Sequence, residues 1–481
     1  MLLHWLRANR VMLINSGSLF STTIVTSLLG FVYWWVAARR FTPEAVGIAS
    51  ASVSTMTLLG SFCIVGLGTL LITELPRQPG RVITLISTAL VVVGAVGGCI
   101  GLLFALVAPA ISSAFAPLRA SSADSVIFAA GVSLTSITLV FDQALIGLLR
   151  GGLQLTRNTL FAIIKLVALL LVGFLLSNAT GITVYTTWAI GSILSLVVIV
   201  IPALFKQRKP LSSYMPQWDL LRKLGPAAVQ HHILNITLQF PSLALPVLVT
   251  VLLSAKTNAW FYVAWMIVNF IFYIPVALTM VLHAMNSAQP SRLAHKARAT
   301  IGLALITSLL VVCLLQVATK HMLSLFGNSY AEQATLTLRI LVLAAFPLVI
   351  KNHYISICRI YDRQKSAMLL IAPGCLLELG AAALGAHVGG LPGLGIGWIT
   401  AVYIESMFML RTVYKAIWKA SPLSEEQSYP APETVWLLET SPLPVIGRFY
   451  EETEALWLVD TFVLPTVRLP TRVRAAREPK E

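Results

Sequence analysis

The chain has 481 residues, of which 57% are hydrophobic and 11% are charged, and its mean hydropathy is +0.83. Soluble domains carry about a quarter charged residues, so this composition excludes a soluble globular protein and indicates an integral membrane protein. The net charge of +15 comes largely from short loops and the C-terminal tail, which favours anionic lipid headgroups, and not nucleic acid, as partners.

Hydrophobic blocks recur along most of the chain, separated by short polar or Gly/Pro turns. Each block has about 20 residues or more, enough to cross about 30 Å of hydrocarbon as a helix. Backbone groups in lipid must be satisfied within their own segment, and the alternation of a membrane barrel is absent, so the predicted fold class is all-α. Twelve spans are predicted, at residues 11-38, 45-73, 82-109, 125-149, 158-177, 182-205, 227-253, 258-284, 299-318, 333-356, 367-386 and 393-417.

The first six spans resemble the last six at an offset of about 216 residues, with WLRANR before the first span over WDLLRKLG before the seventh. An even number of spans per repeat relates the halves by a pseudo-two-fold axis along the membrane normal. The predicted organisation is an N-terminal six-helix lobe, a cytoplasmic linker, a C-terminal six-helix lobe and a cytoplasmic tail, at 1-205, 206-226, 227-417 and 418-481.

The loops differ in positive charge. With a cytoplasmic N-terminus, the inside loops hold about seventeen Lys and Arg residues and the outside loops about five. This asymmetry predicts that both termini are cytoplasmic. The first span ends at a basic exit, Arg39 and Arg40, and is too long for a cleaved signal, so it is predicted to remain a membrane helix. The five cysteines follow no pairing or metal-binding pattern, and no metal or cofactor is expected.

Spans 1 and 7 carry polar side chains at helical spacing, and these stripes align under the repeat. The first stripe is Asn15, Ser18, Thr22 and Thr26, and the second is His231, Asn235 and Gln239, with His232 next to it in the sequence. Polar groups facing lipid are unfavourable unless they are hydrogen-bonded or hydrated, so the two stripes are predicted to line a wet cavity between the lobes. The alternatives are local hydrogen bonds that join helices, and, for the two histidines, a place at the membrane interface.

The chain resembles the polysaccharide transporter branch of the multidrug/oligosaccharidyl-lipid/polysaccharide exporter superfamily, which contains the bacterial flippases of polyprenyl-linked sugars. The resemblance rests on the six-plus-six spans, on LLGFVYWWVAARRFTPEAVGIASASVSTMTLLGSFCIVGLGTLL and on LIGLLRGGLQLTRN after the fourth span. It implies alternating access by two lobes, with helices 1 and 7 lining a cationic cavity. It also implies the bacterial inner membrane, a polyprenyl-diphosphate-linked glycan as substrate, and a polysaccharide polymerase and glycosyltransferases as partners.

A diphosphate crossing hydrocarbon needs compensating cations. The candidates within spans are Lys165, Arg339 and Lys351, with His231 and His232 as titratable additions and Arg39 and Arg40 at the outer mouth. The alternative for Arg339 and Lys351 is snorkelling to the headgroups. The alternative for Arg39 and Arg40 is that they only mark the end of a helix. Aromatic and amide side chains expected to contact the glycan are Trp34, Trp35, Asn269 and Tyr273.

Three acids lie inside spans, Asp142, Glu378 and Glu405. A carboxylate in a cavity of low dielectric can take up and release a proton, which predicts ion coupling. The structural alternative pairs Asp142 with Lys165 and Glu378 with Lys351, so that each pair locks one lobe.

Three other functions would require different features of the sequence. A membrane glycosyltransferase would need paired acids on a sizeable outer loop, and every predicted outer loop is short, so an enzyme is not expected. A cation-coupled multidrug antiporter of the same superfamily would favour acids over cations in its cavity. A peptidoglycan-precursor flippase would differ only in the sugar.

Overall fold

A computed structural model describes residues 10–176, 179–207, 215, 218–288, 293–361 and 363–418. Every regular element in these ranges is a helix. The α-helices are α1 (Arg10–Arg40), α2 (Pro43–Cys63), α3 (Leu67–Glu74), α4 (Val82–Ile111), α5 (Ser122–Gly147), α6 (Gly151–Leu175), α7 (Gly181–Gln207), α8 (Trp218–Leu252), α9 (Ala255–Ala288), α10 (Leu293–Ser324), α11 (Asn328–Leu341), α12 (Ala345–Ile360) and α13 (Gln364–Trp418). The predicted tail from residue 419 onward lies outside the described residues.

The described residues contain eleven helical stretches that are long and apolar enough to cross a membrane. The tenth joins α11 and α12 through a short 3-10 turn, Val342–Ala344. The last, Ser366–Trp418, is broken at Gly389 and Gly390, where Gly390 adopts φ +59°, a value that favours glycine. Since a break at this point makes two spans of α13, the total is twelve, and the all-α fold class is confirmed.

The turn TPEA illustrates how local sequence sets a helix boundary. The Thr42 hydroxyl accepts a hydrogen bond from the Ala45 amide, and Pro43 occupies the first turn of α2, where its missing N–H is not needed. Glu44 adds a negative charge near the positive end of the helix dipole. These features start α2 at Pro43, and two residues separate it from the end of α1 at Arg40.

We divide the helices along the chain into two groups, α1–α7 and α8–α13, which contact each other at both ends of α2. At one end Phe62 meets Phe240 of α8 with ring centroids 5.8 Å apart. The other contact lies where α1 ends and α2 begins, here called the Arg40 end. The Asn258 amide of α9 donates to the Gly47 carbonyl and to the Ser50 hydroxyl of α2, both at 3.0 Å. A side chain at Gly47 would collide with the Ala255 backbone carbonyl. The backbones of α2 and α9 therefore approach each other directly at this end.

The ends of α1 and α10 also join across the same interface. Arg39 donates to the carbonyls of Leu325 and Ser324 at 2.6 and 3.1 Å, and the Trp35 indole donates to the Leu325 carbonyl at 2.9 Å. Trp34 meets Tyr262 of α9 with ring centroids 4.7 Å apart. Under the predicted orientation this closed end faces outward.

Candidate functional site

A cavity of about 520 Å³ lies within the second group of helices, between α8, α9, α12 and α13. Its volume falls in the range of small-molecule sites. The lining residues are Asn235, Leu238, Gln239, Pro241, Ser242, Trp265, Asn269, Phe272, Val276, Thr279, Leu348, Lys351, Asn352, Ile355, Ser356, Arg359, Glu378 and Trp398.

One face of α12 forms a wall along the length of the cavity. The lining positions 348, 351, 352, 355, 356 and 359 follow the spacing of a single helical face. From Leu348 to Arg359 this wall extends about 16 Å, at 1.5 Å per residue. The cavity is therefore an elongated slot, with Lys351 toward one end and Arg359 at the other.

The closed end of the slot is a buried charged cluster. The Lys351 ammonium donates to Glu378 at 2.5 Å and to Glu405 at 2.6 Å, and all three residues are at most 9% exposed. The remaining oxygen of Glu378 accepts from the Trp398 indole at 2.7 Å, whereas Glu405 Oε1 is buried with no hydrogen-bond partner. With all three groups ionised, the cluster has one more negative than positive charge.

The sequence alternative that pairs Glu378 with Lys351 is confirmed as a contact, and Glu405 joins it. The three residues come from α12 and from the two parts of α13 on either side of the Gly389 break. The absence of a side chain at Gly374 makes room for the Glu405 carboxyl, because a Cβ there would collide with it. The break in α13 and this glycine together allow two acids to reach one lysine.

Aromatic rings and amides complete the interior of the slot. The Trp265 and Trp398 rings meet edge to face with centroids 4.9 Å apart. The Trp265 indole donates to the Ser242 carbonyl at 3.1 Å, and the Asn269 amide donates to the Trp265 carbonyl at 2.7 Å. These hydrogen bonds hold the wall in place, since buried polar groups without partners are costly.

The other end of the slot is open. Asn235, Gln239 and Arg359 are exposed, in contrast to Trp265 and Trp398 at 5% and 3%. Arg359 is the penultimate residue of α12, so its guanidinium lies near the membrane boundary. Within the described part of the chain it forms no ion pair.

Lys165 lies away from this cavity, inside the first group of helices. Its ammonium is 3.6 Å from the centroid of Trp188, 4.6 Å from Phe161 and 5.2 Å from Tyr33. Lys165 is 4% exposed and pairs with no acid in the described ranges. Cation–π attraction to three rings compensates its charge in place of a carboxylate.

The pairing of Asp142 with Lys165, given above as the structural alternative, is wrong. Asp142 instead binds Arg157 through two hydrogen bonds of 2.8 and 2.6 Å and accepts a third from the Asn158 amide at 3.0 Å. Arg157 precedes Lys165 by about two turns on α6, and its planar fork matches a carboxylate better than an ammonium does. The charges and their spacing in the sequence do not by themselves distinguish Arg157 from Lys165 as the partner of Asp142.

The remaining predicted cations also lie outside the cavity. Arg339 is exposed on α11, and Arg39 is engaged with the end of α10. Arg40 is exposed beside Leu170, Leu171 and Phe174 in a groove on the outside of α6. The cations proposed from the sequence therefore do not converge on one anion site.

The two polar stripes differ in what they do. In span 1, Asn15 accepts a hydrogen bond from the Gly151 amide, and the Thr22 and Thr26 hydroxyls donate to carbonyls of the same helix. These are the local bonds of the structural alternative, and α1 contributes no residue to the slot. In span 7, Asn235 and Gln239 line it, so the described cavity is contained in one lobe rather than shared by spans 1 and 7.

Four other predicted residues are placed as follows. His232 is half-buried against the backbone of Ser61 and Phe62, at the boundary between the two groups of helices. The side chain of His231 lies outside the described residues. Asn269 lines the slot, whereas Tyr273, one turn further along α9, is exposed and does not.

Sequence reasoning missed Arg359, Asn352, Trp265 and Trp398 as lining residues. Arg359 is one of the basic residues of the predicted inside loops, although its spacing of eight residues from Lys351 places both on one face of α12. The two tryptophans had no signal of this kind. Trp398 follows the Gly389 break, and the sequence does not indicate how that break turns the last helix.

The MatE family model matches residues 232–384, about a third of the chain, which includes most of the slot. None of the curated proteins matches the chain in sequence. Among solved structures, the chain is similar to a multidrug resistance MATE family transporter of the MOP superfamily in an inward-facing conformation. The two sequences are 14% identical and the TM-score is 0.65, and the match covers 82% of this chain and 96% of that one.

Two further structures have the same fold. An outward-facing multidrug resistance MATE family transporter is 15% identical with a TM-score of 0.57, covering 85% of this chain and 97% of that one. A mutant MATE transporter from Vibrio cholerae is 18% identical with a TM-score of 0.54, covering 85% and 98%. At these identities the likeness establishes the fold, which is the twelve-helix fold of MATE transporters.

Proposed function

We propose that this protein is a MatE-family transporter that moves a polyprenyl-diphosphate-linked oligosaccharide from the cytoplasmic to the outer leaflet by alternating access. The observation that carries the proposal is the slot, which lies beside the lobe interface and contains amides, tryptophans and Arg359. Arg359 is a cation that pairs with no acid among the described residues. Amides and aromatic rings suit a sugar, and the cation suits a phosphate. The transporter fold and the family match over 232–384 support the general class.

Alternating access requires an arrangement that is closed at one end and open at the other. The contacts of Arg39, Trp35 and Asn258 close the Arg40 end, while Asn235, Gln239 and Arg359 expose the slot at the opposite end. Under the predicted orientation, this arrangement accepts substrate from the cytoplasm. Export into the outer leaflet then follows when the lobes part at the Arg40 end.

Ion coupling is assigned to Glu378 and Glu405 rather than to Asp142. Asp142 is matched by one guanidinium and one amide, which leaves no reason for it to exchange a proton during transport. The lysine cluster has a surplus carboxylate and an unpartnered oxygen on Glu405. A proton or a monovalent cation bound there would neutralise the cluster, and Lys351 links that event to the wall of the slot.

The second candidate is cation-coupled multidrug export. The surplus negative charge beside Trp265 and Trp398 favours it, because a carboxylate and aromatic rings together bind organic cations. The solved structures with this fold include proteins described as multidrug resistance transporters. The two candidates differ in the charge of the substrate.

Transport into proteoliposomes separates them. We expect protein-dependent translocation of a fluorescent polyprenyl-diphosphate sugar and none of tetraphenylphosphonium. Gln239→Ala should slow this translocation about two- to tenfold, because a neutral amide contact to the sugar is lost, while Thr237→Ala, on the same helix and outside the slot, should not. Movement of tetraphenylphosphonium alone would overturn the proposal in favour of drug export, and preference for a peptide-bearing precursor would identify a peptidoglycan-precursor flippase.

A further inference from the structure

The charges along the slot are distributed unevenly. At the closed end, the single positive charge of Lys351 is shared between two carboxylates at 2.5 and 2.6 Å. An incoming phosphate would have to displace a carboxylate from a buried ion pair, which leaves that carboxylate unpaired in a medium of low dielectric. The closed end is therefore unsuited to an anion, even though it contains a lysine.

The open end has the opposite character. Arg359 lies eight residues after Lys351 on the same face of α12, about 12 Å further along the helix axis at 1.5 Å per residue. It is exposed, and no ion pair engages it in the described ranges. Its fork of N–H donors fits phosphate oxygens, which accept such bonds strongly.

The shape of the substrate fits this division. The diphosphate joins a polyprenyl chain, which stays in the hydrocarbon, to a sugar, which does not. Because Arg359 is the penultimate residue of its span, a diphosphate bound there remains near headgroup depth, so this first binding step does not place the diphosphate dehydrated in the membrane centre. The neutral sugar can then enter the slot, where amide side chains and the edges of Trp265 and Trp398 are available.

We propose that Arg359 forms the diphosphate subsite of the slot, and that the sugar occupies the interior between Arg359 and the Lys351 cluster. This inference rests on the proposed function and adds to it an orientation, with the sugar inserted first and the phosphates at the mouth. It also separates the two charged regions, since the anion binds at Arg359 while Glu378 and Glu405 exchange a cation.

The test measures binding to the full-length protein in nanodiscs of zwitterionic lipid. One probe is a short-chain isoprenyl-diphosphate-linked hexose, and the other is the same isoprenyl hexoside without phosphates. Arg359→Gln should weaken binding of the first probe about ten- to a hundredfold and leave the second unchanged. Arg359→Lys should keep part of the affinity. Arg363→Gln is the matched control, because Arg363 is exposed near the end of the same helix but does not line the slot.

Several outcomes would overturn the subsite. One is that Arg359→Gln binds the diphosphate probe as tightly as the parent protein does. Another is that Arg359→Gln loses affinity for both probes equally. The third is that Arg363→Gln loses as much affinity for the diphosphate probe as Arg359→Gln does. If anionic lipid in the nanodisc displaces the diphosphate probe from the parent protein, Arg359 binds headgroups and the subsite is also rejected. If the parent protein binds neither probe but binds tetraphenylphosphonium, the proposed function itself fails.

Discussion

Lys351 is the residue whose surroundings most constrain its role. An isolated ammonium inside a membrane protein is strongly unfavourable, and two carboxylates at hydrogen-bond distance make this one tolerable. The reverse also holds, because Glu378 and Glu405 would repel each other without the lysine between them. The three residues therefore behave as one unit, and removing different members should have unequal effects.

The first prediction concerns this unit. Lys351→Met should lower the free energy of unfolding by about 3 to 5 kcal/mol, because it leaves two buried carboxylates without a cation. Glu405→Gln should have a smaller effect, because Lys351 still pairs with Glu378. Denaturation midpoints of both variants in the same detergent measure the difference. A larger loss in Glu405→Gln than in Lys351→Met would contradict this account of the cluster.

Lys165 poses a different problem, since rings and not acids surround it. Lys165→Met should change the free energy of unfolding by no more than about 1 kcal/mol, because the lost cation–π attraction is offset by the removal of a buried charge. Transport should be retained. Arg157→Met, on the same helix, should be destabilised by about 3 to 5 kcal/mol, because Asp142 loses its partner. Loss of transport by a stable Lys165→Met protein would restore Lys165 as a substrate ligand.

At the scale of elements, α2 and α9 approach each other closely at the Arg40 end. The approach is close because Gly47 has no side chain at the point where the Ala255 carbonyl arrives. The Asn258 amide then reaches across to the Gly47 carbonyl. Under the proposed alternating access this contact would form and break in each cycle, so a residue without a side chain here would serve movement as well as packing.

Gly47→Val should therefore hold the Arg40 end apart. Overpacking by about 1 to 3 kcal/mol would shift the equilibrium between closed and open forms about 5- to 150-fold toward the open form. Spin labels at positions 44 and 332, in a cysteine-free background, report the separation of the two lobes. Gly30→Val is the control, because nothing lies within 4 Å of a side chain there. An unchanged distance distribution in Gly47→Val would rule out this contact as the closure point.

At the scale of the whole molecule, composition and periodicity predicted the twelve spans because bilayer thickness fixes the length of an apolar helix. The cavity was harder to predict. Polar stripes in spans 1 and 7 look alike in sequence, yet Asn15 bonds to a neighbouring backbone amide while Gln239 lines the slot. Which neighbour a polar side chain meets depends on helix rotation and on the Gly389 break, and neither is encoded in the spacing along one helix.

The same limit applies to charge. The structural alternative drawn from the sequence places an acid beside Lys351, which is correct, and an acid beside Lys165, which is wrong, because the adjacency of two helices along the chain does not rank a carboxylate against an aromatic cage. The sequence prediction also treated Arg359 as a topological marker. An excess of basic residues at the cytoplasmic ends of spans sets orientation, and only the arrangement of α8, α9 and α12 shows that Arg359 also faces a cavity.

Orientation and access can be tested together on the intact protein. Cysteines at positions 235 and 239 should react with a membrane-impermeant thiol reagent added from the cytoplasmic side, because both side chains are exposed in a slot that is closed toward the Arg40 end. A cysteine at position 22 should be protected by burial, and one at position 314 by lipid, although Leu314 is 64% exposed. Gly47→Val should slow the labelling at 235 and 239, since opening the Arg40 end closes the other. Labelling of these two positions only from the outside would reverse the predicted orientation, and protection of both from either side would exclude the slot as the route of transport.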